Sequence, residues 1–160
     1  MRIRIVVANQ AEAAFYDLDS RSGEPKFATR LTDPVAHLHD RDLKSDRPGR
    51  FFDHGPLGHG RRGATAHHGT GGERTPRKHE TEVFARQVAE QLEQARRAAE
   101  FDRLVVMAAP TFLGVLRKVL PDAVRLQVAA EVNKDLVSEP PASVRAHIPE
   151  EVLRELPAAQ

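Results

Sequence analysis

The chain has 160 residues, a length that suits one domain. Lys and Arg number 24 against 23 Asp and Glu, a net charge of +1, which excludes a uniformly basic nucleic-acid binder but not a local basic patch. The absence of cysteine excludes disulfide frameworks, thiolate zinc sites, iron–sulfur clusters and cysteine nucleophiles.

Arg2–Ala8 (RIRIVVA) opens the chain with Ile3, Ile5 and Val7 on one side of a period-2 pattern, which predicts a strand. Ala13–Asp19 and Lys26–Thr32 read as two more, separated by the turn-rich Ser20–Pro25, and such short connections favour an antiparallel meander. The start lacks the apolar stretch of about 7–15 residues that a secretory signal needs. The longest apolar run, Leu104–Pro110, falls well short of the ~20 residues of a spanning helix. The expected compartment is therefore the cytoplasm.

From Asp33 to Thr75 the periodicity stops. Eight of the ten glycines lie between Gly49 and Gly72, and seven of the eight histidines between His37 and His79. A structureless loop longer than about 12–15 residues is usually functional or disordered, so residues 33–75 are expected to form a long, mobile, basic loop.

Thr75-Pro76 supplies a helix start with a hydroxyl cap and proline in the first turn. Val83, Phe84, Val88, Leu92, Ala95 and Ala99 then mark an amphipathic helix to about Glu100. Arg103–Ala109 reads as a strand buried on both faces. A second helix begins at Pro110-Thr111 and is stopped by Pro121, and Val124–Val132 is expected as a fifth strand. Gly114 within the second helix implies close packing, because glycine costs about 1 kcal/mol there. The remainder from Asn133 reads as mostly polar and helical, broken at Pro140-Pro141 and Pro157, with 137–160 a helical tail. The sum is one α/β domain over 1–160: a mixed five-stranded sheet with flanking helices in the order β-β-β-α-β-α-β-α, the order of the ribonuclease-H-like fold.

That fold prompts a search for paired metals held by carboxylates, one of them on the first strand. Arg2–Ala8 has no acid and is followed by Asn9; Glu12 and Asp17 are the nearest. Gly58-His59-Gly60-Arg61-Arg62-Gly63 matches a dinucleotide fingerprint, but no strand leads into it and no helix follows, so it is a decoy. The histidine spacings fit no helical ligand pair, and neither a nucleophile elbow nor a phosphate-binding lysine loop is present. No metal or cofactor is expected.

Charge is more informative. Arg41, Lys44, Arg47, Arg50, Arg61, Arg62, Arg74, Arg77 and Lys78 face only Asp42, Asp46, Asp53 and Glu73 within 41–78, a local net charge of +5 against −4 for everything else. A glycine-rich cationic segment suits phosphate-backbone binding; the alternative is a solvated linker. Arg47 and Arg50 flank Pro48-Gly49, placing two guanidinium forks beside a tight turn.

Three stretches carry a resemblance: Arg41–Arg50 (RDLKSDRPGR), the helix core Phe84–Ala89, and Leu104–Leu120 continuing to Lys134-Asp135-Leu136. Together they resemble the bacterial host attachment protein family, named as required for attachment to host cells. More distantly, that family is similar to the middle domain of archaeal and eukaryotic peptide-chain release factors, which has a ribonuclease-H-like fold and a Gly-Gly-Gln loop before a long helix. Here Gly71-Gly72-Glu73 stands before the long helix, with Glu73 in place of the amide. A carboxylate only accepts hydrogen bonds where an amide also donates. The expected function is a noncatalytic cytoplasmic factor that binds RNA or the ribosome through Arg41–Lys78. The alternatives are an ester or phosphodiester hydrolase acting through Gly71-Gly72-Glu73, and an adaptor whose 33–75 loop binds a protein partner.

Overall fold

The computed structural model describes residues 1–36 and 76–159. Five strands form one mixed sheet: β1 (Ile3–Ala8), β2 (Glu12–Leu18), β3 (Lys26–Thr32), β4 (Arg103–Ala108) and β5 (Val128–Val132), in spatial order β3-β2-β1-β4-β5. β1 and β2 are antiparallel, with Ile3 opposite Leu18 and Ala8 opposite Ala13. β2 and β3 complete the expected meander, with an irregularity between Phe15 and Tyr16. β4 lies parallel to β1, and β5 parallel to β4. Within 76–159 lie the helices α1 (Pro76–Arg97), α2 (Pro110–Val119), α3 (Asp122–Arg125), α4 (Pro141–Ala146) and α5 (Glu150–Arg154).

Because strand side chains alternate, the central strands feed two separate cores. On one face, Val6, Ala8, Phe15, Leu104 and Val106 meet Phe84, Val88 and Leu92 of α1 and Phe112 and Leu116 of α2. On the other, Ile3, Ile5, Val7, Val105 and Met107 meet Leu136, Val144, Ile148, Val152, Leu153 and Leu156. The β2–β3 turn is tied to this second layer: Arg145 donates to the carbonyls of Gly23 and Arg21, and Arg21 to those of Arg154 and Leu156.

Three expectations need correction. The fifth strand does not begin at Val124: Asp122–Arg125 is a short helix that buries Val124, and pairing starts only at Val128. The alternation Val124, Leu126, Val128 mimics a strand, yet Leu126 is 83% exposed. The stretch after Asn133, read as mostly polar and helical, does hold two helices, but it also supplies Leu136, Val137, Val144, Ile148, Val152, Leu153 and Leu156 to the second core. Pro140-Pro141 starts a helix rather than only breaking one, with Pro140 in the cap position. Gly114 does not mark a close approach, since an added Cβ meets nothing within 4 Å.

Arg4, 3% exposed, sits on the α1 side of β1. Its Nε and Nη2 donate to Asp17 at 2.6 and 3.1 Å, Nη2 also donates to Glu100 at 3.0 Å, and the guanidinium lies 5.7 Å from the centre of the Phe101 ring. Burial disfavours the charge, but the hydrogen bonds and charges of Asp17 and Glu100 outweigh it, so the guanidinium pKa is raised. Among the described residues no helix is long and apolar enough to cross a membrane.

Candidate functional site

β1, β4 and β5 run in the same direction, so their carboxyl ends share one edge of the sheet. From β1 the chain returns through β2 toward β3; from β4 it passes through α2 and α3 to β5 on the opposite side. The connections therefore diverge between β1 and β4, the point at which open α/β sheets leave a crevice for ligands. An open cleft of about 410 Å³ lies there.

The wall at β1 is Asn9, Gln10 and Ala11. Asn9 Oδ1 accepts from the N–H groups of Ala11 and Glu12 at 2.8 and 2.9 Å, which shapes the β1–β2 turn and aims Nδ2 at Asp135 Oδ2, 3.2 Å away. Asp135 follows β5, and its Oδ1 accepts from Val137 N–H at 3.2 Å. Asp33 follows β3. Its N–H donates to the Ala11 carbonyl at 2.8 Å, and its Oδ1 accepts from Val35 N–H at 3.0 Å. At 8% exposure it is, with Arg4, one of the two buried charged residues among those described.

The helical walls are Arg77, Glu80 and Thr81 of α1 and Ala109 at the start of α2. Thr81 donates to the Arg77 carbonyl at 2.8 Å, and Glu80 has a partner of its own. The first turn of α1 contains no acid, and the amino end of α2 has no side-chain cap. Both ends add partial positive charge to a cleft that also holds carboxylates. Its chemistry is mixed: acceptors at Asp33 and Asp135, a guanidinium at Arg77, and donor-rich helix ends.

Of the residues singled out by sequence, Arg77 lines this cleft and Lys78 follows it, exposed and partnered. Arg41, Lys44, Arg47, Arg50, Arg61, Arg62, Gly71, Gly72, Glu73 and Arg74 lie outside the described residues. Ala36 also lines the cleft. Glu12 and Asp17 are engaged elsewhere, with Arg30 and Arg4. Among the described residues no three His, Asp or Glu side chains are grouped to hold a metal ion.

Sequence reasoning missed Asp33 and treated Asn9 only as a missing acid. Their convergence is tertiary; the one local signal is that each follows a strand directly. Ala109 and Asp135 both belong to the third stretch of the family resemblance, Leu104–Leu120 continuing to Lys134-Asp135-Leu136, so two parts of that stretch meet here.

No curated protein sequence matches the chain. Among solved structures, it is similar to an archaeal translation termination factor, aRF1, at a TM-score of 0.44 and 7% sequence identity. That similarity covers 96% of this chain and 37% of the termination factor. A family model described as "Protein required for attachment to host cells" matches residues 4–148, most of both cores and the whole cleft, and the chain belongs to that family.

Proposed function

We infer that this host-attachment family member is a noncatalytic cytoplasmic factor that binds RNA or the ribosome through the basic stretch Arg41–Lys78 and contributes to attachment indirectly. The observation that carries the reading is the concentration of charge: nine basic against four acidic residues within 41–78, in a chain otherwise net negative. Local energetics add support. Arg77 and Lys78 occupy the first turn of α1, where the helix dipole disfavours cations. Basic residues placed where the helix dipole opposes them are consistent with an anionic partner.

The direct test is titration of a single-stranded RNA at several salt concentrations. Affinity should fall steeply with salt, by a logarithmic slope of about 0.7 for each phosphate contact. Replacing Arg47, Arg50, Arg61 and Arg62 with Ala should flatten that slope and weaken binding to all sequences alike. An unchanged slope in the fourfold variant would remove the stretch from RNA binding. Hydrolysis of peptidyl-tRNA that is lost in Glu73→Gln would instead support the enzymatic alternative.

A further inference from the structure

The sheet ends in two edge strands, and the two are finished differently. β3 carries residues that discourage another strand from pairing: Pro25 directly before it, the exposed Lys26, and Arg30. Its exposed Phe27 rests edge-on against Tyr16, with ring centres 6.0 Å apart. β5, Val-Ala-Ala-Glu-Val, has no lysine, arginine or proline, and its one charge, Glu131, is neutralised by Arg117. Among the described residues the backbone of β5 pairs only with β4, which leaves the groups on its outer side open. Just before it stands Leu126, at 83% exposure the most exposed large apolar side chain among the described residues. An unblunted edge beside an exposed leucine is a surface that an added strand covers.

We propose that β5 pairs antiparallel with β5 of a second copy of this chain, so that the two sheets become continuous. The strand is complementary to itself. Pairing about Ala130 sets Val128 opposite the partner's Val132 and Glu131 opposite the partner's Ala129, so valine meets valine and no like charges are directly opposed. The antiparallel sense carries Arg125 and Leu126 of each copy toward the partner's Lys134 and Asp135. A guanidinium then comes near a carboxylate, and Leu126 gains an aliphatic stem to pack on. A net charge of +1 per copy sets up little long-range repulsion between them. Five residues make a small interface, so the association is reversible and in the micromolar range.

Sedimentation equilibrium of the full chain, at concentrations spanning the micromolar range, should show monomer and dimer in exchange. Leu126→Lys should weaken the dimer by about tenfold or more, the effect of losing one buried leucine side chain. It should leave urea unfolding of the dilute monomer unchanged, because the side chain is exposed there. The chain has no cysteine, so Ala130→Cys places a single thiol per copy at the centre of the pairing. Directly opposed residues of paired strands lie within disulfide reach, and this variant should form a covalent dimer under mild oxidation. Ala28→Cys, on the exposed β3 edge, reads chance encounter and should stay largely monomeric. A chain that remains monomeric throughout, a dimer indifferent to Leu126→Lys, or crosslinking of Ala28→Cys that equals that of Ala130→Cys would overturn the proposal.

Discussion

Ala99 and Gly114 are each where the other would be more stable. The α1 helix ends in a Schellman arrangement, with Glu100 N–H donating to the Ala95 carbonyl and Ala99 N–H to that of Arg96. Ala99 therefore takes the left-handed conformation, φ 54°, that favours glycine. Gly114 sits mid-helix with open space around its missing Cβ. Ala99→Gly should stabilise by about 1 kcal/mol, the relief of a strained left-handed residue less the added freedom of the unfolded chain. Gly114→Ala should stabilise by a similar amount, about 1 kcal/mol. The two sites share no contact, so the double variant should show the sum in urea unfolding. Arg4 presents the opposite case. Asp17→Ala leaves its buried guanidinium with Glu100 alone, and unfolding should show a loss on the order of 3 kcal/mol.

α1 bears the clearest pH signature among the elements. Hydrogen bonds from Arg96, then Arg97, hold the Glu93 carboxyl well below its usual range, at about 2. Its pKa is depressed in the folded chain, so its contribution to stability is present above the ordinary value of 4.5 and is lost as pH falls toward 2. Thermal unfolding between those limits should show the decline, and Glu93→Gln should reduce it. The helix itself was legible because Phe84, Val88, Leu92 and Ala95 recur at helical spacing and all are buried. So were the first four strands, to within a residue at each end. The Asp122–Arg125 helix was not, because four residues are too few to establish a period against the strand that follows. The C-terminal layer was missed for a related reason. Its buried apolar residues are scattered: Val144, Val152 and Leu153 lie in two short helices, and Leu136, Val137, Ile148 and Leu156 in the connections around them, so no single stretch shows a continuous stripe. The cleft was legible only at Arg77, whose charge stands out locally; Asn9, Asp33 and Asp135 are ordinary until the sheet brings three strand ends together.

At the scale of the molecule, the sheet is a partition between two cores, and each depends on a different part of the chain. The family match ends at residue 148, yet Val152, Leu153 and Leu156 complete the second core beyond it. Arg103 pairs with Glu155 at 2.8 Å, and Arg21 N–H donates to the Pro157 carbonyl at 2.9 Å. Each of the three buried side chains contributes roughly 1.5–3 kcal/mol, so a chain ending at residue 148 should lose several kcal/mol and unfold at markedly lower urea. The opposite edge of the sheet, where the connections diverge, is built from strand exits and helix starts. Ala36 and Arg77 both line the cleft at that edge. The measurement that tests this account most directly is sedimentation of cell lysate through a sucrose gradient at low and high salt. The intact chain is compared with the variant in which Arg47, Arg50, Arg61 and Arg62 are Ala. The intact protein should travel with ribosomal particles at low salt and be released at high salt, while the variant stays at the top of the gradient. Both proteins remaining at the top at low salt, or both migrating alike, would contradict it.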